Sequence, residues 1–206
     1  MNEKDEFIAA SIYKLPLAML YYDKVNEGEY TLDSTFTYSG YMHEDAGVIS
    51  SDYGIGSQVP LSDLLNDLII YSDNDAGHIL YENLGGWKEY KEAMTKYTDS
   101  ISENYYTMDN VTTANTMNDV VTYLYDHKED YKGLIKNMEK AEPGEYLDRD
   151  TQLSMPQKYG MYDYALNSVG FVECNTSYSI VVLTSLGDKG ADVMANINRI
   201  AYEHFK

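Results

Sequence analysis

The spacing of apolar residues changes from a helical to a strand period late in the chain, and this change constrains the fold most. Before the change, apolar residues recur at helical spacing in segments that end at glycine or turn residues. The first segment, residues 11–26, is apolar on nearly every side, which predicts a helix buried in the core. Beyond the change, strands are predicted at 153–160, 165–174 and 177–185, followed by an amphipathic helix at 188–204. Helices first and strands last predict an α+β fold with a helical part packed on an antiparallel sheet.

The length and the absence of dividing segments predict a single domain over residues 1–206. A chain of 206 residues has the size of one domain, and neither an internal repeat nor a low-complexity linker interrupts it. We expect the helical part at about 11–140 and the sheet with the last helix at about 150–206. Two polar segments, 34–59 and 98–111, predict loops. Further helices are predicted at 60–70, 75–84, 87–97, 113–127 and 130–140.

Charge and residue usage exclude several classes of function. The net charge of −19 repels phosphate backbones and anionic lipids, so we expect no nucleic-acid partner and no binding to a membrane surface. The single cysteine, Cys174, excludes an internal disulfide and a four-thiolate zinc site. No His-Glu-x-x-His motif and no Gly-x-x-x-x-Gly-Lys phosphate loop is present, so we expect no metal and no cofactor. The four histidines are scattered, at His43, His78, His127 and His204.

The same composition gives an expectation about compartment. Strong acidity and the shortage of cysteine are compatible with a secreted or cell-surface protein. The N-terminal residues show neither the basic head nor the apolar stretch of a signal peptide. We therefore expect an extracytoplasmic protein whose signal segment is absent from this chain, with a cytoplasmic protein as the alternative.

Three short motifs carry the candidate chemistry: Ser11-Ile12-Tyr13-Lys14, Ser72-Asp73-Asn74 and Lys158-Tyr159-Gly160. Because residues three apart share one face of a helix, the Lys14 amine can reach the Ser11 hydroxyl. Burial disfavours a charged amine, so Lys14 can act as the base that a serine nucleophile needs. At the helix N-terminus, free N–H groups favour the negative charge that develops at Ser11.

Each motif also has an ordinary structural interpretation. Ser11 and Lys14 could be a helix cap and a surface lysine, and Ser72-Asp73-Asn74 could be a turn that caps the next helix. Lys158 could be a solvated charge at the edge of a sheet. In the functional interpretation, Lys158 attracts a substrate carboxylate and Gly160 lets substrate backbone approach the strand closely.

Taken together, the motifs resemble those of the penicillin-recognising serine hydrolases, most closely the class A β-lactamases. The signature of that family is Ser-x-x-Lys, Ser-Asp-Asn and Lys-Thr-Gly. The resemblance spans residues 6 to 206 and implies a β-lactamase-like fold. The surrounding segments that carry it are 71–76, 83–86, Thr112-Thr113, 158–163, 169–172 and 180–184.

The resemblance implies a role for each motif residue in acyl transfer. Ser11 would be the acylated nucleophile and Lys14 its base or base relay. The backbone N–H groups of Ser11 and Met161 would form the oxyanion hole. Ser72 would shuttle a proton to the leaving group, and Asn74 would bind a substrate amide.

Two departures from the family bear on turnover and substrate. Lys158 would bind a substrate carboxylate and tune Ser72, but Tyr159 stands where the family has threonine or serine, and its bulk narrows the site. The family's loop glutamate, which directs the deacylating water, has no counterpart in a Glu-x-x-Leu-Asn motif at 98–111. Glu103 is the only glutamate there, and we interpret it as a solvated carboxylate. We therefore expect slow deacylation.

A third departure concerns the sheet. The family places two strands before the nucleophile helix, whereas ten residues precede Ser11, so the first two strands are expected to be missing from this chain. The long apolar strand at 177–185 would then have an uncovered edge, which favours pairing with another chain. We expect either a shortened chain or a homo-oligomeric strand contact at this edge.

The sequence thus predicts a serine hydrolase of the β-lactamase type, acting through Ser11 on a β-lactam or a cell-wall peptide-like substrate. Two alternatives stay open. One is a β-lactamase-like binding module in which Tyr159 closes the site. The other is a peptidase or esterase on the same fold.

Overall fold

The first long helix runs through the centre of the helical part. The computed structural model describes residues 2–40, 47–107, 109–151 and 153–206. Helix α1 (Lys14–Asn26) buries every residue of its first two turns, as its apolar sequence predicts. It packs against helices on several sides. The other α-helices of this part are α2 (Val48–Asp52), α3 (Leu61–Ile70), α4 (Asn74–Asn83), α5 (Trp87–Met94), α6 (Ala114–Asp126) and α7 (Lys132–Met138).

Two short antiparallel strand pairs tie the loops to the helices. Strand β1 (Phe7–Ile8) pairs with β4 (Val111–Thr112), and β2 (Thr35–Thr37) pairs with β3 (Gln58–Pro60). The prediction of a loop over 34–59 is therefore wrong in part, because Phe36 and Val59 are buried opposite each other across the second pair. Residues 41–46 of that segment, including His43, lie outside the described residues.

The main sheet has three antiparallel strands in the order β5–β6–β7. They are β5 (Gln157–Tyr162), β6 (Ala165–Val172) and β7 (Tyr178–Thr184). All eight residues of β6 are buried, because α6 contacts one face of the sheet and α8 (Lys189–Phe205) contacts the other. Alternate side chains of β6 enter two separate apolar clusters, as the strand period requires. The predicted α+β class is confirmed.

Strand β5 lies at one edge of the sheet, against the turn that precedes α1. That turn is a 3-10 helix, Ala10–Tyr13, and not the start of the α-helix that the sequence predicts. A Cβ at Gly160 would lie 2.6 Å from the Ser11 nitrogen and 2.8 Å from the Ile12 nitrogen. The glycine therefore lets the protein's own backbone approach the strand, and the expected approach of a substrate's backbone stays a prediction.

Strand β7 forms the opposite edge. Among the described residues it pairs with β6 alone. The expected contact of this edge with another chain stays a prediction. No helix in the described part of the chain combines the length and apolar character that a membrane span requires.

A buried asparagine ties α8 to the sheet and to the loop before β5. Asn198 is completely buried, and its Nδ2 donates to the Leu147 carbonyl at 2.7 Å. Its Oδ1 accepts from the Tyr178 hydroxyl at 2.8 Å. One amide thus satisfies polar groups of two other segments in the interior.

We expect Asn198→Ala to lower the free energy of unfolding by about 2 to 4 kcal/mol, because it removes two buried hydrogen bonds and leaves their partners unsatisfied. Urea denaturation measures the change. Asn196→Ala, on the exposed face of the same helix, is the control and should change stability by about 0.5 kcal/mol or less. Equal effects of the two substitutions would contradict the assignment.

Candidate active site

The three predicted motifs meet around the hydroxyl of Ser72. Lys158 Nζ donates to Ser72 Oγ at 2.9 Å, and Lys14 Nζ lies 3.4 Å from the same oxygen. Lys14 also donates to the Ser72 carbonyl and to Asn74 Oδ1, the latter at 2.7 Å. Both lysine side chains are 0% exposed. One serine hydroxyl therefore lies between two buried lysine amines.

Ser11 lies on the 3-10 turn one turn before Lys14. Residues three apart eclipse each other in a 3-10 helix, so the Ser11 and Lys14 side chains share a side of the turn. Ser11 is partly exposed while Lys14 is buried. Solvent therefore contacts part of Ser11 but not Lys14.

The backbone before Ser11 has an unusual conformation that a side chain from the loop 98–111 holds. Ala10 has φ +49°, in the left-handed region that costs energy for a residue with a Cβ. Asn110 Nδ2 donates to the Ala10 carbonyl at 3.0 Å, and the Ala9 N–H donates to the Asn110 carbonyl at 2.8 Å. Asn110 thus positions the residue that precedes Ser11. No local pattern in the sequence marks Asn110, because its partner lies 100 residues away.

The second motif is held by the side chain in its middle. Asp73 is 2% exposed and accepts from the Ala76 N–H, which makes it the N-cap of α4. The same carboxylate accepts from the Val48 and Ile49 N–H groups at the start of α2, at 2.8 and 3.1 Å. An anion at two helix N-termini is favourable, so Asp73 fixes the turn on which Ser72 lies with φ +58°. Asp73 is therefore the capping residue of this motif, whereas the functional interpretation concerns Ser72 and Asn74.

The third motif has a buried lysine. The interpretation of Lys158 as a solvated edge charge is wrong, since the side chain is enclosed. Burial first, and then the electrostatic influence of the nearby Lys14, lower the pKa of Lys158 well below its usual value. Lys158 also donates to the Tyr159 carbonyl at 2.8 Å, and its nitrogen lies 4.2 Å from the centre of the Tyr159 ring.

The end of β5 carries the other predicted backbone donor. Met161 is 59% exposed, and the peptide that joins it to Gly160 lies beside the amide of Ser11, because Gly160 packs on that amide. The two N–H groups predicted for an oxyanion hole therefore belong to neighbouring backbone segments.

The loop 98–111 directs its glutamate elsewhere. Glu103 is exposed and lines a cavity of about 630 Å³ together with Glu6 and Asn115. None of the residues around this cavity belongs to the three motifs. Lys91 donates to the Tyr105 carbonyl at 2.5 Å and fixes the middle of the loop.

An acidic group lies one turn before Ser72. Asp67 is 9% exposed at the end of α3. Burial, and then the carboxylates of Asp73, Asp63 and Asp52, raise its pKa from 3.8 to about 7. In the described residues, no group of three or more histidine, cysteine, aspartate or glutamate side chains is arranged to hold a metal ion.

Comparison with known proteins relates this geometry to one family. A family model described as the Beta-lactamase enzyme family matches residues 1–205. A structure of PBP-A has 18% identity and a TM-score of 0.84, covering 98% of this chain and 83% of that one. A β-lactamase from Sphaerobacter thermophilus DSM 20745 has 21% identity and a TM-score of 0.82, covering 100% and 86%.

A third solved structure gives a similar result. A β-lactamase from Chitinophaga pinensis DSM 2588 has 22% identity and a TM-score of 0.81, covering 100% of this chain and 88% of that one. Another similar structure is an acyl-enzyme complex of a PBP-A mutant with penicillin G. No match is found among curated proteins. At these identities the structural likeness shows the fold, and the predicted resemblance to the β-lactamase-like serine hydrolases is confirmed.

We expect Asp67→Asn to stabilise the protein at pH 8 by on the order of 2 to 4 kcal/mol and to have little effect at pH 4. Between pH 3.8 and about 7 the folded state binds more protons than the unfolded state, so wild-type stability falls as pH rises through this window. Denaturation curves from pH 4 to 8 measure the difference. Asp99→Asn, which changes an exposed carboxylate, should keep the wild-type profile. A pH-independent effect of Asp67→Asn would contradict the raised pKa.

Proposed function

The chain belongs to the beta-lactamase enzyme family, and we propose that it is a serine hydrolase that forms a covalent acyl-enzyme on Ser11. The observation that carries the proposal is the Ser72 hydroxyl between two buried lysine amines, beside the turn that bears Ser11. Burying two amines beside one hydroxyl lowers the stability of a fold. Acid–base chemistry at this hydroxyl would explain why both amines are present.

In the acylation step, Ser11 Oγ attacks the carbonyl carbon of an amide or ester, and its proton passes to Lys14. A neutral lysine has two N–H groups, and the Ser72 carbonyl with Asn74 Oδ1 offers an acceptor for each. The lone pair then serves as the proton acceptor. The N–H groups of Ser11 and Met161 bind the oxyanion that forms.

Breakdown of the tetrahedral intermediate needs a proton on the leaving group. Lys158 donates into Ser72 Oγ, so the Ser72 hydrogen is directed away from Lys158. We assign Ser72 the transfer of this proton to the departing nitrogen or oxygen as its bond to carbon breaks. Ser72 then regains a proton from Lys14, which lies 3.4 Å away, and the acyl group stays on Ser11.

Family membership supports a β-lactam as substrate, and a cell-wall peptide-like amide would use the same steps. The alternatives are a binding module with a closed site and a peptidase or esterase on this fold. The contact between the Tyr159 ring and Lys158 favours these alternatives, because it covers a cation that a substrate carboxylate would bind.

We propose that the acyl-enzyme is long-lived. The loop side chain that contacts the backbone before Ser11 is the amide of Asn110, which cannot act as a general base. Glu103 lines a cavity that no motif residue shares. Neither of these loop residues therefore supplies a water molecule near the ester with the carboxylate that the loop glutamate provides in the related enzymes.

We expect a fluorescent penicillin or a fluorophosphonate to add its mass to one residue, Ser11, in the intact protein. Ser11→Ala should abolish the adduct, and Lys14→Met should slow its formation about 100-fold or more, since the general base is lost. Lys88→Met, an exposed lysine on α5, is the control and should react at the wild-type rate. A folded protein with no adduct would identify a binding module, and an adduct on Ser11→Ala would exclude Ser11 as the nucleophile.

We expect the adduct on Ser11 to hydrolyse no more than about tenfold faster in the folded protein than in the denatured protein, because folding adds no positioned base. Intact-mass spectra over time after removal of free probe measure both rates. Release from the folded protein within seconds, in the range of ordinary enzyme turnover, would show that another group activates the water.

A further inference from the structure

The aromatic ring of Tyr159 covers the amine of Lys158. The Lys158 nitrogen lies 4.2 Å from the ring centre, which is the geometry of a cation–π contact. The side chain of Lys158 is completely buried. The family's third motif has a small hydroxyl residue where this chain has Tyr159, so here an aromatic ring lies against the amine.

The contacts of Lys158 account for each direction in which it can donate. A protonated lysine has three N–H groups. Ser72 Oγ accepts one at 2.9 Å, and the Tyr159 carbonyl accepts another at 2.8 Å. The ring face of Tyr159 occupies the remaining side. An incoming carboxylate could reach the amine only after this ring moves.

The ring is held in place by a second tyrosine. Tyr146 stacks on Tyr159 with ring centres 4.9 Å apart and an angle of 22° between the planes. The backbone beside Tyr146 is fixed, because the Leu147 N–H donates to Gln157 Oε1 at 3.0 Å and its carbonyl accepts from Asn198. Moving the ring of Tyr159 therefore disturbs a stack that the core supports.

The charges around the pair also disfavour an anion. The carboxylate of Glu142 lies close enough to Lys158 and Tyr159 to contribute an upward shift to both of their pKa values. A negative charge is therefore already present beside this pair. Burial first, and then Glu142, raise the pKa of Tyr159 to about 12, so its phenol is neutral. Burial first, and then Lys14, lower the pKa of Lys158, so this amine loses its charge, and with it its attraction for an anion, at a lower pH than an exposed lysine does.

We propose that Tyr159 determines specificity by selecting acyl donors without a carboxylate beside the scissile bond, that is, neutral amides or esters. β-Lactams and peptides with a free carboxylate would react slowly because the amine that would bind them is covered. This inference rests on the proposed acylation of Ser11. The chemical steps are the same, with the leaving alcohol or amine taking its proton from Ser72.

A matched pair of probes tests the proposal: benzylpenicillin and its methyl ester, which differ only in the carboxylate. Acylation of Ser11 is followed by intact mass, and a fluorophosphonate serves as a neutral reference probe. In the wild type we expect the methyl ester to react about tenfold faster or more than the free acid. A carboxylate that loses its hydration without gaining a charged hydrogen bond is penalised by a factor of this order.

The substitution Tyr159→Thr should raise the acylation rate with benzylpenicillin about tenfold or more, while the rate with the methyl ester changes less than about threefold. Tyr159→Phe keeps the ring and should keep the wild-type selectivity. Tyr164→Thr, at an exposed tyrosine of the β5–β6 hairpin, is the control and should also keep it. Should Tyr159→Thr fail to fold, Tyr146→Ala loosens the stack and should shift selectivity in the same direction.

Two results would overturn the inference in distinguishable ways. Equal acylation of the wild type by the acid and the ester, or no change in their ratio in the substituted proteins, would refute the role of Tyr159 and leave the acylation of Ser11 standing. A folded wild type that no probe, including the fluorophosphonate, acylates would refute the proposed function and this inference together.

Discussion

The burial of two lysine amines around one serine oxygen is the constraint on which the rest of the structure depends. Lys14 and Lys158 approach Ser72 from different segments, and each loses its hydration on entering the interior. Repulsion between the amines adds to this cost and contributes to the lowered pKa of Lys158. Such an arrangement persists only if the surrounding structure holds each amine on an acceptor.

The surrounding structure provides this in three places. Asp73 fixes the turn of Ser72 by capping two helices at once. Gly160 lets the strand that carries Lys158 pack directly on the backbone of Ser11. Asn110 holds the left-handed residue before Ser11. These contacts join a helix, a turn and a strand edge, so the site is as rigid as the packing between them.

The differences from the family lie at the edges of this arrangement and not in its centre. At the centre, Lys14, Ser72 and Lys158 are the residue types of the family's three motifs. The departures lie in the third motif, where Tyr159 stacks on Tyr146 in place of a small hydroxyl residue, and in the loop 98–111, where Asn110 contacts the backbone before Ser11. In the function proposed above, both departures would bear on which acyl group reacts and how long it stays.

The sequence by itself determined the class of fold and the identity of the three motifs. Helical and strand periods, the Thr113 cap of α6 and the order of elements are properties of a few neighbouring residues, which local preferences encode. The packed structure alone decided that the turn at Ser11 is 3-10, that Phe36 lies in a strand, that Lys158 is buried and that Asn110 holds Ala10. Each of these depends on partners distant in the chain, and their contacts exist only once the core has packed. Local spacing therefore identified the candidate reactive residues, and packing determined their environment.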